Sequence, residues 1–268
     1  MFHWDTVWHF LFSPFFLQAA WLTLWLSVVA QFIGVVLGLF LALMRMSRFP
    51  VLFWPARAYV WFFRGSPLLV QVLLLWIGLP KISGILLPDY ACILVAFSLN
   101  EGAYMSEIIR AGISSVDTGQ MEAAKSLGMR YGLAMRRIVL PQAARVIVPP
   151  LGTEFNNMLK TTSIASVIGV AELTHTADLF GAPTFSTFEL LVVATFYYLV
   201  MTTLWGYFQT WLENRLNPNR PKVDGEDKQS WTERMLGFSS ARAGGINLIA
   251  MTGSGSVART ITSSRGAM

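Results

Sequence analysis

The chain has 268 residues, of which 54% are hydrophobic and only 13% are charged, and its formal net charge is +5. Together with a mean hydropathy of +0.52, this balance excludes an ordinary soluble domain and indicates an integral membrane protein. The single cysteine, Cys92, excludes an internal disulfide.

Apolar segments long enough to cross a bilayer recur along the chain. A hydrocarbon core of about 30 Å needs about 20 apolar residues per helix. Five segments meet this requirement, at about 16–44, 50–79, 89–110, 145–172 and 187–212. We therefore predict an all-α membrane protein with about five transmembrane helices. Residues 1–15 contain tryptophans but no lysine or arginine, and we predict that they form an interfacial segment that stays attached.

Basic residues are distributed unevenly between the predicted loops. Lysines and arginines concentrate after the first, third and fifth spans, and the opposite side has only Lys81. Because cytoplasmic loops are enriched in Lys and Arg, we predict that the N-terminus is outside and the C-terminus inside. Residues 217–268 are polar and poor in aromatics, which is typical of a flexible cytoplasmic tail. We attribute the basic charge to these cytoplasmic loops, with some attraction to anionic lipid. Nucleic acid is not an expected partner.

The second predicted span contains a break at Arg64-Gly65-Ser66-Pro67. Ser66 and Pro67 suit the N-cap and the first position of a second half-helix. Broken helices at membrane depth present free N–H groups and a positive dipole end to anionic ligands. The turn from Ser66 to Leu68 is therefore predicted to receive an anionic group.

Two carboxylates are predicted at matching depth in the third and fourth spans. Glu101 and Glu154 each lie nine residues from the nearest cytoplasmic arginine of their span, or about 14 Å along a helix. An ionisable side chain at this depth costs about 2.5–3.5 kcal/mol on insertion scales, so it usually has a use. We predict that both acids face a bound ligand within the membrane. The alternative is that Arg64 neutralises one of them across the bundle in a purely structural pair.

Residues 113–144, between the third and fourth spans, form a basic loop with a predicted short helix. Asp117 and Gln120 have the spacing of an N-cap and N3 pair, and Gly128 is placed to end the helix about three turns later. A helix of about ten residues is not stable alone, so it must be held by contacts. Two adjacent alanines would give it a small face for close approach. The alternative is an amphipathic loop that lies on the membrane.

The same loop resembles a feature of the permeases of ATP-binding-cassette importers. Its defining positions are Glu122-Ala123-Ala124, then Gly128 after three residues, Ile138 after nine more, and Leu140-Pro141. The resemblance implies that the helix docks into a cytoplasmic ATPase. Glu122, Ala123, Ala124 and Gly128 would then couple closure of the ATPase to opening of the pathway.

Three further runs look like the polar amino acid branch of that family, the histidine, glutamine and arginine permeases. They are residues 62–71, 104–113 and 140–143, and the likeness runs from about residue 17 to 217. What it implies is a type I importer transmembrane domain over residues 16–216. The expected location is the bacterial inner (plasma) membrane, with several passes.

The resemblance also implies a division of labour among partners. Two permease subunits, identical or paralogous, would form the pathway, a dimer of ATPase subunits would bind the cytoplasmic side, and a periplasmic solute-binding protein would deliver substrate. The chain has no Gly-x-x-x-x-Gly-Lys-Ser/Thr run, so ATP and Mg²⁺ are expected on the separate ATPase. No cofactor, metal site or catalytic activity is expected of this chain.

An amino acid substrate gives the polar residues within the spans their predicted roles. Its α-carboxylate would meet Ser66 and Pro67, whereas Glu101, Glu154 and Asn157 would face the ammonium group or a cationic side chain. Two acids at one depth favour a basic amino acid or an opine-like compound. A neutral or acidic substrate such as glutamine or glutamate is the alternative, and the acids would then be structural.

Overall fold

The computed structural model describes residues 2–216, and within that range the regular elements are all helical. The α-helices are α1 Trp4–Leu11, α2 Pro14–Arg45, α3 Pro50–Gly65, α4 Leu68–Leu73, α5 Leu79–Ser83, α6 Asp89–Ser114, α7 Thr118–Ser126, α8 Tyr131–Ala134, α9 Leu140–Thr161, α10 Leu173–Gly181 and α11 Thr187–Leu216. Two π-helical turns, Leu74–Gly78 and Met135–Val139, join α4 to α5 and α8 to α9, and a 3-10 helix, Thr162–Ile168, follows α9. The predicted tail, 217–268, lies outside the described residues.

Three helices, α2, α6 and α11, are long and apolar enough to cross a membrane. The segments Pro50–Gly65 and Leu68–Ser83 meet the same requirement as a pair that bends by 108°, which confirms the predicted break in the second span. The described part of the chain therefore has three to four candidate spans, and the all-α membrane class is confirmed. The other predicted span, 145–172, is helical as far as Ile168, but charged residues such as Glu154 and Lys160 lower its hydropathy.

Close packing of α2 against α6 forms the centre of the fold. A Cβ atom added at Gly34 would lie 2.6 Å from Glu101 Cγ, and one at Gly38 would lie 2.4 Å from Met105 Cβ. Small residues of this kind allow membrane helices to approach closely. The position of α2 therefore fixes the position of the α6 face that carries Glu101.

Buried apolar side chains hold the remaining helices around this pair. One cluster joins α2, α4 and α6 to the end of α9 and the 3-10 helix, and another joins α1 and α2 to α10 and α11. In α1, Val7 and Leu11 are buried, whereas Trp4 and Trp8 are exposed. The assignment of this segment to the membrane interface stays a prediction.

Hydrogen bonds from α11 fix α9 near its two prolines, Pro149 and Pro150. Trp205 Nε1 donates to the Gly152 carbonyl at 2.8 Å, and Gln209 Nε2 donates to the Pro149 carbonyl at 3.2 Å. These contacts hold α9 between α6 and α11. The half of α9 that follows the prolines carries Glu154 towards α6.

Candidate functional site

A cavity of about 390 Å³ lies where α4, α6 and α9 meet the 3-10 helix. Its lining consists of Leu68, Asn100, Glu101, Tyr104, Glu154, Asn157, Met158, Thr161 and Ile164. Three of the five residues that the sequence predicts to bind substrate, Glu101, Glu154 and Asn157, are thus brought together. The volume falls in the range of small-molecule sites, about 300–1,000 Å³.

Glu101 enters this cavity from α6 and is only 4% exposed. Its Oε1 atom is buried and has no hydrogen-bond partner among residues 2–216, and the same holds for Oε1 of Gln31 on α2. A buried carboxylate oxygen without a hydrogen-bond partner is unfavourable. Acidic groups of this kind inside membrane proteins mark the sites of substrates and ions.

Glu154 and Asn157 reach the cavity from α9, where their spacing of three residues places them on one face. Within the described range, no lysine, arginine or histidine lies within 4.0 Å of the Glu101 or Glu154 carboxylate. The cavity therefore offers two carboxylates to a cationic ligand. In the same range, no three His, Cys, Asp or Glu side chains are grouped so that they could hold a metal ion.

The structural alternative, in which Arg64 neutralises Glu101 or Glu154, is wrong. Arg64 instead forms an ion pair with Glu107 of α6, with 3.8 Å between Nη1 and Oε2. The reason is the direction of the side chain, since side chains in a helix tilt towards its N-terminus. Arg64 therefore points back along α3 and reaches a carboxylate beyond the cavity acids.

The predicted cap at the break in the second span is wrong by one residue. Ser66 is the C-cap of α3, because its hydroxyl donates to the Phe62 carbonyl at 2.7 Å, and Pro67 is the N-cap of α4. Neither Ser66 nor Pro67 lines the cavity, but Leu68, the first residue of α4, does. The break therefore borders the cavity only at Leu68, the residue that follows it.

Two amide side chains satisfy the carbonyl groups that the break leaves free. Gln71 Nε2 donates to the carbonyls of Phe63 at 2.9 Å and Ser66 at 3.0 Å. Asn100 Nδ2 donates to the Phe63 carbonyl and to Gln71 Oε1, both at 3.0 Å. Backbone groups at membrane depth need such partners, so the amide hydrogens of Asn100 support the break. The role of Gln71 was not predicted, although an amide within an apolar run is a signal for it.

The short helix of the loop between α6 and α9 is α7, and both of its predicted caps are confirmed. The Asp117 carboxylate accepts from a backbone N–H of the first turn at 2.6 Å. Gly128 has a φ of +76°, and its N–H donates to the Lys125 carbonyl at 2.9 Å, while the N–H of Met129 donates to the Ala124 carbonyl at 3.0 Å. This is the Schellman motif, in which glycine supplies the left-handed residue.

The outer face of α7 differs in one respect from the prediction. Glu122 and Ala123 are exposed, but Ala124 is only 1% exposed, because α7 packs on the segment from α8 to the second π-helical turn. Only one of the two alanines can therefore offer a small outer surface. Next to it, Leu127 is 82% exposed and extends the apolar part of this surface.

The chain matches the model of a protein family described as "Binding-protein-dependent transport system inner membrane component" over residues 34–218. It is 40% identical over 202 residues to the probable amino-acid ABC transporter permease protein YckA of Bacillus subtilis (strain 168), which covers 75% of this chain and 89% of that protein. It is 38% identical over 206 residues to the arginine transport system permease protein ArtQ of the same strain, covering 77% and 94%.

A solved structure, described as the crystal structure of an amino acid ABC transporter with histidines, also matches the chain. The two are 44% identical with a TM-score of 0.72, and the match covers 75% of this chain and 94% of that chain. The methionine transporter MetNI, in inward-facing conformations, has a TM-score of 0.62 at 17% identity. That second likeness concerns the fold alone.

Proposed function

Since the chain belongs to the family of binding-protein-dependent transport system inner membrane components, we propose that its cavity carries a basic amino acid across the membrane. One observation carries the proposal. Glu101 and Glu154 line the same cavity, and no cationic side chain of residues 2–216 lies within 4.0 Å of either carboxylate.

The chain is a multi-pass inner membrane permease of an ATP-binding-cassette importer of polar amino acids, and it is a non-catalytic component. A binding protein and an ATPase are therefore its partners. We assign ATP and Mg²⁺ to a dimer of that ATPase, and half of the pathway to a second permease subunit, identical or paralogous. We also propose five spans, with the N-terminus outside and the C-terminus in the cytoplasm, because this topology agrees with the distribution of Lys and Arg. The basic cytoplasmic side would then attract anionic lipid.

The proposed bound substrate lies along the cavity with its cationic group at the acids. Glu101 and Glu154 face the ammonium group or the cationic side chain, and the exposed amide of Asn157 hydrogen-bonds beside them. The α-carboxylate lies towards the break at Ser66 and Pro67, where Leu68 forms the wall. The name of the relative ArtQ, an arginine transport permease, agrees with a cationic substrate.

Coupling to the ATPase is proposed for α7. The capped helix presents Glu122 and Ala123 outward, and buried Ala124 and left-handed Gly128 fix its position on the rest of the loop. Closure of the ATPase dimer would move this helix as a unit and so switch the pathway between its two open states.

A neutral or acidic amino acid such as glutamine or glutamate is the second candidate. In that case Glu101 and Glu154 are structural, and the binding protein makes the selection. An opine-like cationic compound would bind in the same way as a basic amino acid, because the acids respond to the positive charge.

The test is ATP-driven uptake by the permease reconstituted with its ATPase and binding protein. Labelled arginine, glutamine and glutamate are compared in wild type, Glu101→Gln and Glu154→Gln, with the exposed acid Asp178→Asn as the matched control. Loss of one charged hydrogen bond costs about 1.5–3 kcal/mol, so the preference for arginine should fall about tenfold or more in both cavity variants. If uptake of all three substrates changes alike, the acids are structural.

A further inference from the structure

Three arginines surround a single glutamate beside the cavity. Arg45 of α2 donates to Glu107 Oε2 at 2.5 Å, Arg110 of α6 donates to Oε1, and Arg64 of α3 lies 3.8 Å from Oε2. One carboxylate therefore balances one of three guanidinium charges. Charges this close to the membrane interior need counter-charges, so the cluster has capacity for a further anion.

Arg64 is the member of this cluster that makes no hydrogen bond to Glu107, which leaves its donors for another ligand. Both oxygens of Glu107 are already taken at hydrogen-bond distance by Arg45 and Arg110. At 3.8 Å, Arg64 makes an ion pair but no hydrogen bond to Glu107. Its side chain is 42% exposed, compared with 16% for Arg45 and 35% for Arg110.

Tyr104 connects Arg64 to the cavity. The Arg64 guanidinium carbon lies 5.3 Å from the centre of the Tyr104 ring, and the same tyrosine lines the cavity. Measured along the α6 axis at 1.5 Å per residue, Tyr104 lies about 4.5 Å from Glu101, and Glu107 lies about 9 Å from Glu101. The cavity thus has two carboxylates in its lining, and the Arg64 guanidinium lies against one of the other lining residues, Tyr104.

We infer that Arg64 binds the α-carboxylate of the transported amino acid while Glu101 and Glu154 bind its cationic group. This inference rests on the proposed function and gives the α-carboxylate a partner, Arg64, which lies two residues before Ser66 at the break. A guanidinium binds a carboxylate through two parallel N–H···O bonds, and the free donors of Arg64 can provide them.

The alternative is that Arg64 only ties α3 to α6 through Glu107 and Tyr104. The two roles differ in their dependence on the ligand. A carboxylate-binding arginine affects only ligands with a carboxylate, whereas a structural arginine affects all ligands alike. Arginine and agmatine, its decarboxylated form, therefore separate the two roles.

The experiment is equilibrium binding of labelled arginine and labelled agmatine to the purified permease–ATPase complex in lipid nanodiscs, without the binding protein. Arg64→Gln should weaken arginine binding about tenfold or more and leave agmatine binding unchanged. Arg64→Lys keeps the charge but loses the paired geometry, so its loss of arginine affinity should be smaller. It also serves as the test if Arg64→Gln does not fold.

Arg57→Gln is the matched control. Arg57 is on the same helix and also lies over aromatic rings, 5.9 Å from Phe53 and 5.5 Å from Trp54, so its replacement should affect neither ligand. Unchanged arginine binding in both Arg64 variants, or equal weakening of arginine and agmatine, overturns the inference and leaves the proposed function standing. If the wild-type complex binds neither ligand, the proposed function and the inference are both overturned.

Discussion

The proposed coupling helix α7 and the proposed substrate cavity are built in opposite ways. The caps of α7 and the residues that it presents all lie within residues 117–129. The cavity is assembled from residues of α4, α6, α9 and the 3-10 helix, between Leu68 and Ile164, and its Glu101 is placed by α2 through Gly34. The ends of α7 are therefore determined by neighbouring residues in its own sequence, whereas the cavity depends on the packing of several helices.

The largest expected effect is a variant of α7 that abolishes uptake and leaves substrate binding in the cavity unchanged. Glu122→Arg puts a bulky cation on the exposed face of α7, so ATP-driven uptake should fall to background because like or misplaced charge disrupts docking. No residue of α7 lines the cavity, so arginine binding by the isolated permease should stay at the wild-type level. Reconstituted uptake and equilibrium binding measure the two quantities.

Arg48→Glu is the control for that variant, because it also reverses an exposed charge but lies between α2 and α3. It should retain uptake. Wild-type uptake by Glu122→Arg would mean that α7 is not the coupling element.

Gly38→Ala should disturb the cavity region and leave α7 intact. The new Cβ would lie 2.4 Å from Met105 Cβ and 2.8 Å from the Ser106 amide nitrogen, and overpacking of this kind costs about 1–3 kcal/mol. At about 2–4 °C per kcal/mol, the Tm in detergent should fall by several degrees. Arginine affinity should fall as well, because α6 is displaced.

The matched control is Gly206→Ala on α11, where an added Cβ meets nothing within 4 Å. Alanine is favoured over glycine in a helix by about 0.5–1 kcal/mol, so this variant should be neutral or slightly more stable. Equal Tm values for Gly38→Ala and wild type would show that the α2–α6 contact is not tightly packed.

Asp117→Ala should produce the smallest effect, confined to the coupling helix. Loss of an N-cap costs about 1 kcal/mol, so amide hydrogen exchange should accelerate about fivefold in α7, since that cost is local. Exchange in α6 and arginine binding should not change. Gln120→Ala, on the same helix without a cap bond, is the comparison, and an equal acceleration there would contradict a capping role for Asp117.

The same contrast explains which parts of the protein could be predicted from its sequence. Asp117 and Gly128 predicted α7 correctly, because caps depend on a few neighbouring residues. The depth of Glu101 and Glu154 followed from counting along two helices, and the shared cavity agrees with it. The break after α3 was also correct, although its N-cap is Pro67 and not Ser66.

The errors concern side chains whose partners lie on other helices. Arg64 was predicted, as an alternative, to pair with Glu101 or Glu154, but it pairs with Glu107. Gln71 hydrogen-bonds the free carbonyl of Ser66 at the break, and no role was predicted for it. Ala124 was expected on the docking face and is buried. Each outcome depends on the reach and direction of a side chain between packed helices, which the order of residues along one helix does not determine.

The central claim is that this chain has its own site for a cationic amino acid, made by Glu101 and Glu154. The most direct measurement is equilibrium binding of labelled arginine to the permease–ATPase complex without the binding protein, in wild type and in the Glu101→Gln, Glu154→Gln double variant. We predict saturable binding in wild type and a loss of at least tenfold in the double variant. An unchanged affinity, or no saturable binding in wild type, would contradict the claim.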